Sequence, residues 1–422
     1  MKAMSALELR LPYRTVKARP FPGLAVGLSL LPSLAAALLV FGPPPWRGEV
    51  GVLVGLTLLA HLLAFFATDR MARYPGREVW GLAAFNLLLL PRPLPAVPAL
   101  GRLFDALALL PLYSFLAFLL LAPPLAFPLL LLYLHHLPPV RLALLPGGLA
   151  DRLRSIAKGV RPIEDLEEAE GVVADLHHLD PRALPLLAEA SLRGLPILHA
   201  AAVYEGYTGR VPLEGGFGEG LLALSEGNRG LYPYFKRPFE VGLVLLFAPL
   251  ILLLGLLVAL LVYLDLGRPV LFAQERMGLG GKPFKAYKFR TMRGAPREGA
   301  YAGEEANRVT PLGRFLRRYR LDELPQFWNI LKGDMNLIGP RPEQKVLAEA
   351  YAREIPLYPL RHAVRPGLTG WAQVEQGYAE GKEETLVKLA YDLYYIKHLS
   401  FWLDLRILFK TLWVLLTGFG AK

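Results

Sequence analysis

Long apolar runs separated by short basic stretches dominate the first third of the chain. Residues 21–41 form one such run behind Lys2, Arg10, Arg14, Lys17 and Arg19, and about 20 apolar residues suffice to cross the hydrocarbon core of a bilayer. Residues 51–68 are a second candidate span. Residues 80–136 stay apolar, interrupted mainly by prolines. They divide into a third span near 80–100 and a fourth at 104–122, with 125–136 either an extension of the fourth or an interfacial piece. A cleaved signal peptide is the alternative for the first run, and the later spans argue against it. The basic N-terminus, the loop of Arg70, Arg73 and Arg77, and the segment of Arg141, Arg152, Arg154 and Lys158 all belong on the cytoplasmic side. An even number of spans fits, and four are expected within residues 1–137.

The pattern changes after residue 151. "EGVVADLHHL" (170–179) and "LPILHAAAVY" (195–204) read as short buried strands, and "PRALPLLAEASLRG" (181–194) between them has helical spacing. This is one βαβ unit of a small Rossmann-like middle domain, residues 138–230. No G-x-G-x-x-G follows either strand, which favours packing or assembly over dinucleotide binding. The histidine pairs at 135–136 and 177–178 lack an H-E-x-x-H context and read as interfacial or surface positions.

Residues 241–264 are again apolar and long enough to span. Lys236 and Arg237 precede them, and Arg268, Arg276, Lys282 and Lys285 follow, so the charge rule wants both ends on one face. Pro249 removes a helical hydrogen bond and bends the axis, so a re-entrant helix that dips into one leaflet and returns is expected. A straight span is the alternative.

Composition narrows the partners. Of 422 residues 54% are hydrophobic, and the formal net charge is +11. A basic chain this apolar points to anionic lipid or phosphorylated substrates, with no nucleic acid expected. Cysteine is absent, which excludes disulfides, thiolate catalysis and Cys-ligated metal centres.

Chemistry concentrates beyond residue 270. "QERMGLGGKPFKAYKFRTM" (274–292) is not a Walker A loop, yet Gly278, Gly280 and Gly281 let backbone approach an anion, while Lys288 and Arg290 project together if the segment is a strand. In "RRYRLDELPQFWNILKGDMNLIGPRPE" (317–343), Pro325 and Gly333 bound a short helix. Asp322 and Glu323 then sit at its N-terminus, where backbone N–H groups favour ionised acids and accommodate a phosphate. Adjacent residues do not share a helical face, so the two carboxylates diverge, one toward an electrophile and one toward a metal or a positioning contact. Such a site requires neutralisation by Mg²⁺ or by Arg314, Arg317, Arg318, Arg320 and Arg341. Arg341 is fixed in direction by Pro340 and Pro342. Simple salt bridging on a solvated face is the bland alternative.

Together with "KRPFE" (236–240) and "RHAVRPGLTGWAQV" (361–374), these motifs make residues 232–422 resemble the bacterial sugar transferases, monotopic phosphoglycosyl transferases that load a sugar phosphate onto polyprenyl phosphate. The whole chain looks like their long members, such as undecaprenyl-phosphate galactose- or glucose-1-phosphate transferases, with the first half matching in architecture more than in motif. The resemblance implies that Asp322 attacks the β-phosphorus of a UDP-sugar, releases UMP and holds the sugar phosphate until polyprenyl phosphate takes it. It implies that Glu323 assists through Mg²⁺, held by Asp322 and Glu323, or by activating the acceptor. Arg317, Arg341 and Lys288 match phosphate-binding positions, with Arg290 added from the strand reading, and Arg365, Pro366 and Gly367 match a uridine-binding turn. Asp334 is expected to make a structural hydrogen bond. Two departures stand out: Glu240 replaces the usual aspartate, and the helix proline lies about a turn closer to Lys236–Arg237.

The expected architecture is therefore a membrane protein with α-helical spans plus α/β cytoplasmic parts. It comprises the four-helix transmembrane region, the Rossmann-like domain, and a mainly helical catalytic domain, residues 231–422, carrying the re-entrant helix. The resemblance implies a multi-pass protein of the bacterial inner (cytoplasmic) membrane with its catalytic domain on the cytoplasmic face, beginning synthesis of a surface polysaccharide such as O-antigen or capsule. Membrane lipid is an expected partner, and a homodimer is left open. The C-terminal "SFWLDLRILFKTLWVLLTGF" (400–419) either lies in the headgroup region or packs on the catalytic domain. Two other functions remain open: a glycosyltransferase releasing UDP, and a non-catalytic scaffold of polysaccharide export.

Overall fold

The computed structural model describes residues 4–9, 38, 45, 55, 140–156, 160–163, 166–213, 231–294, 299, 306–377 and 381–417. The four spans expected before residue 137 lie outside the described residues, apart from positions 38 and 55. The described chain is mostly helical, with small sheets and one helix long and apolar enough to cross a membrane. It divides into two compact units, residues 1–207 and 208–422.

The first unit is built on a five-stranded sheet ordered β3-β1-β2-β4-β5, from β1 (Met4–Leu9), β2 (Val140–Leu144), β3 (Val160–Ile163), β4 (Gly171–Ala174) and β5 (Ile197–His199). β2, β4 and β5 run parallel, whereas β1 is antiparallel to both its neighbours. Alternation along the strands sends side chains to opposite faces. Leu142, Leu144 and Val173 pack with Leu149 and Leu153 of α1 (Gly148–Ile156) and with Val203 of α3 (Ala200–Thr208). Ala143, Val172 and Ala174 pack with Ala190 of α2 (Leu184–Leu192).

The expected βαβ unit is present as β4, α2 and β5. Its second strand is shorter than the sequence suggested, because the three alanines after His199 begin α3 instead, in keeping with their helix propensity. Asp175, just past β4, accepts the Leu149 N–H at 2.8 Å and so caps α1 with the protein's own anion. His177 and His178 are exposed.

The second unit is organised around α4 (Tyr232–Leu266), a 35-residue helix that contains Pro238 and Pro249. Near each end one side of the helix packs on the same unit. Val244 packs with Ile330 and Met335, while Val258 and Val262 pack with Phe289 and Leu316. Between them the helix is bare: Leu246 is 70% and Leu253 67% exposed. The helix continues through Pro249 instead of stopping there, so the proline acts within one element and does not divide two.

At the start of α4, Lys236 donates to Glu240 at 2.6 Å and to Asp404 of α10 (Phe401–Thr417). Glu240 in turn accepts the Leu337 and Ile338 N–H groups, each at 3.1 Å. These belong to β8 (Asn336–Ile338), which pairs only with β9 (Gly367–Thr369) among the described strands, so the carboxylate satisfies donors on its open edge. The glutamate thus serves the edge of a strand. α10 packs through Leu403, Ile407 and Val414, all buried, which supports the packing alternative for the C-terminal segment.

Around this frame lie the hairpin of β6 (Leu271–Met277) and β7 (Pro283–Phe289), α5 (Pro311–Arg318), α6 (Gln326–Lys332), α7 (Lys345–Glu354), α8 (Trp371–Glu375) and α9 (Gly381–Lys397). The unit also takes in residues upstream of 231: Trp371 Nε1 donates to Gly209 O at 3.0 Å, and Arg210 reaches the Tyr391 hydroxyl at 2.9 Å.

Candidate active site

Local sequence places the two acids. Thr310 caps α5 by accepting the Gly313 N–H at 2.9 Å, and its hydroxyl donates to Asp265 Oδ2 at 2.6 Å, fixing α5 to the foot of α4. After α5, Arg320 adopts left-handed backbone, φ 53°, and is alone among the described non-glycine residues in having positive φ. Such a conformation costs of order 1–3 kcal/mol and is retained where the surroundings require it. It turns the chain into a single 3₁₀ turn, Leu321–Glu323. Leu321 and Leu324 join the cluster of Val258 and Leu316, and Asp322 and Glu323 between them are left 6% and 4% exposed.

The helix that follows has Pro325 at its N-cap, one position earlier than expected, and Gly333, φ 104°, at its C-cap. Asn329, fully buried, holds it to β7 by donating to Lys285 O at 2.7 Å and accepting the Tyr287 N–H at 3.1 Å. Asn329 also donates to Asp334 at 3.0 Å, the structural bond expected of that aspartate.

Cations converge on Glu323 from three directions. Lys288 Nζ donates to Oε1 at 2.7 Å, Arg341 donates to both oxygens, and Arg320 Nη1 lies 3.7 Å from Oε2. Asp322 differs: among the described residues none donates a hydrogen bond to its carboxylate, although Lys288, Arg317 and Arg341 act on it through space. Arg317 is oriented by its Nε–H bond to Thr291 Oγ1, 3.0 Å.

The environments push the two acids apart. Burial drives the Asp322 pKa up, and the neighbouring cations only partly oppose it. Burial acts on Glu323 too, but Arg341, Lys288 and Arg320 outweigh it and hold that carboxyl well below the usual range. The surroundings thus stabilise the charge of Glu323 more strongly than that of Asp322. Burial lowers Lys288 to about 8 despite its partner Glu323.

The remaining expected residues fall in distinct places. Arg290 follows the last residue of β7, and its guanidinium bonds the carbonyls of Leu266 and Arg268 at the end of α4, so it is engaged there and not on either carboxylate. Pro366 and Gly367 form the backbone that faces the Gly-Pro-Arg-Pro turn: Asn336 N donates to Pro366 O at 2.8 Å and Gly367 N to Pro340 O at 3.0 Å. A Cβ on Gly367 would overlap the Gly339 nitrogen. Arg365 precedes this contact, so the Arg365–Gly367 turn is structurally tied to the loop that carries Arg341.

A supporting layer of charge was not singled out from sequence. Arg276 Nη1 donates to Pro342 O at 2.6 Å. Arg361, 3% exposed, reaches Asp392 Oδ2 through Nε at 3.0 Å and Nη2 at 2.7 Å, the Tyr358 hydroxyl at 2.8 Å, and Arg341 O at 2.8 Å. Glu343 receives Lys388 at 2.8 Å. Burial raises the Glu343 pKa, but Lys388 and Arg361 bring it down to about 2. These contacts hold Arg341 from behind.

For a metal, the donor set is uneven. The cations occupy the oxygens of Glu323, which opposes the expectation that it ligates Mg²⁺. Asp322 retains an uncommitted carboxylate, and Mg²⁺ is commonly held by one or two carboxylates plus substrate phosphates. Among the described residues no group of three acidic or histidine side chains forms a ready metal cage.

A buried carboxylate pair ringed by cations thus shares one unit with a helix long and apolar enough to cross a membrane. The family described as bacterial sugar transferase matches residues 231–418, and the chain belongs to that family. It is 42% identical over 263 residues to the UDP-N-acetylgalactosamine-undecaprenyl-phosphate N-acetylgalactosaminephosphotransferase of Aeromonas hydrophila, covering 60% of each chain. It is 41% identical over 186 residues to the UDP-glucose:undecaprenyl-phosphate glucose-1-phosphate transferase of Escherichia coli K12, covering 43% of this chain and 40% of that one. With the enzyme of the same description from Caulobacter vibrioides the identity is 45% over 183 residues, 42% of this chain and 67% of the relative. The chain thus spans 60% and 40% of the length of the first two relatives.

Proposed function

We propose that this protein transfers a sugar 1-phosphate from a UDP-sugar to polyprenyl phosphate by way of Asp322. A carboxylate oxygen of Asp322 attacks the β-phosphorus, the bond to the UMP oxygen breaks, and UMP leaves with the electron pair. An oxygen of polyprenyl phosphate then attacks the same phosphorus, the bond to Asp322 breaks, and the carboxylate is restored. The observation that carries this reading is the asymmetry of the acids: Glu323 is sealed by Lys288 and Arg341, whereas the Asp322 carboxylate is buried among cations with no hydrogen bond from a described residue. Lys288, Arg317 and Arg341 would balance phosphate charge, and Glu323 would hold two of them in place. Mg²⁺ arriving with the nucleotide sugar would be held by Asp322 together with substrate oxygens and would supply further neutralisation.

The membrane reading rests on α4. Both of its ends pack on one unit and its leucine-rich middle is exposed, which favours a helix that enters a leaflet and returns. With four preceding spans, the expected setting is the cytoplasmic face of a bacterial inner membrane, where synthesis of a surface polysaccharide begins. The first unit is proposed to be a Rossmann-like packing domain.

Incubation with a panel of UDP-sugars and polyprenyl phosphate, with nucleotide assay and a mass search for a modified Asp322 peptide, tests the proposal. UMP release and an adduct are expected, and D322N should lower turnover by about 10⁴-fold or more, as for removal of other catalytic nucleophiles. UDP as sole nucleotide product would overturn it.

A further inference from the structure

A cavity of about 270 Å³ opens beside the acid pair, within the second unit. Its wall is largely apolar, with Leu321, Leu324 and Phe327 on the catalytic side and Leu408, Leu412 and Leu415 from α10. Arg320 and Glu323 belong to the same wall. Thr369 and Thr411, also at the wall, bond to each other through their hydroxyls at 2.6 Å, which removes two of its polar groups from competition for a ligand.

We infer that this cavity seats the phosphate-proximal isoprene units of the polyprenyl phosphate acceptor. The inference rests on the function proposed above and adds where the acceptor's tail is held. A ligand that suits this wall is anionic at one end and hydrocarbon at the other, because Arg320, Glu323 and the leucines of α10 line one space and the cations on Glu323, namely Lys288, Arg320 and Arg341, outnumber its single charge. A roughly 150 Å³ apolar cavity holds one benzene ring, so this one accommodates about two five-carbon units. The rest of a long prenyl chain would continue outside it, beyond Leu412, which is 44% exposed. Through this arrangement α10, which contributes none of the acids, sets how deeply an acceptor inserts before its phosphate reaches Asp322.

Leu412→Trp and Leu408→Trp fill the cavity from its α10 side. Each should raise the acceptor KM by about ten- to hundredfold, the cost of excluding a few buried methylene-sized groups. UMP release with donor alone, a step that places no hydrocarbon in the cavity, reports that the variant is folded. An independent measurement uses the absence of cysteine from the chain: a Leu412→Cys variant carries a single thiol for maleimide labelling. Polyprenyl phosphate at ten times its Kd should slow labelling about tenfold, whereas inorganic phosphate and dioleoyl phosphatidic acid at the same concentration should not. An unchanged acceptor KM in both tryptophan variants, or equal protection by inorganic phosphate or phosphatidic acid, would overturn the inference while leaving the proposed reaction standing. Absence of UMP release by the unaltered protein would instead remove the reaction on which it rests.

Discussion

Replacing Arg361 with methionine tests whether the Arg341 loop is held by the buried ion layer behind it. Arg361 and Asp392 are 3% and 1% exposed, their closest contact is 2.7 Å, and Arg361 alone links Asp392, Tyr358 and the Arg341 carbonyl. Removing it leaves a carboxylate in the core without its main partner, and breaking a buried pair in this way costs about 3–5 kcal/mol. In a unit of this size 1 kcal/mol corresponds to about 2–4 °C, so R361M should lower Tm by about 6–20 °C. Adding D392L removes the stranded charge and should recover most of that loss, leaving about 1 kcal/mol for the hydrogen bond to Arg341 O. Acid supplies a second check. Burial already raises the Asp392 pKa in spite of Arg361. A carboxyl whose folded pKa is raised is least unfavourable when protonated, so the R361M deficit should narrow as pH falls and widen as pH rises through that value. Thermal unfolding of the single and double variants in detergent at several pH values measures all three. A deficit below about 1 kcal/mol, or a double variant no more stable than R361M, refutes the reasoning.

Three further outcomes are expected. Lys288 is charged below its pKa of about 8 and loses its charge above it, so kcat/KM for the donor should fall on the alkaline side; K288R, charged throughout, should lose that limb, and its persistence would assign the titration elsewhere. G367A forces a methyl group into the Gly339 backbone, with an expected loss of about 1–3 kcal/mol in thermal unfolding and a higher donor KM as the Arg341 loop shifts; unchanged values would contradict the close contact. E240A removes one of the two carboxylates that hold Lys236 and leaves two strand-edge N–H groups without their acceptor and should cost about 3–5 kcal/mol in the same unfolding assay, whereas E240Q, which keeps an acceptor oxygen, should cost less.

What was legible in the sequence follows the range of the interaction. Pro325 and Gly333 bound α6 because each restricts its own backbone, and β4, α2 and β5 announce themselves by local periodicity. Asp322 and Glu323 were visible as a pair, but their division of labour depends on Lys288 and Arg341, 35 and 18 residues away from Glu323. The i, i+2 rule that grouped Arg290 with Lys288 fails because β7 ends at Phe289, after which the chain turns toward α4. Arg361 and Asp392 look like ordinary surface charges until the fold buries them together. β1 was missed altogether: its six residues sit among the basic positions that precede the first apolar run, and its partners come from beyond residue 139.

That strand has a consequence for the path of the chain. β1 lies between β3 and β2, with Leu9 opposite Val140, so residues 4–9 occupy an interior position in a sheet whose other members lie about 130 residues further along the chain. Among the described strands β1 pairs with no other. The end of β1 and the start of β2 therefore lie at the same edge of the sheet, so whatever path residues 10–139 take must return to the place where it began. Pairing of β1 with β2 and β3 thus ties both ends of that long segment to one spot.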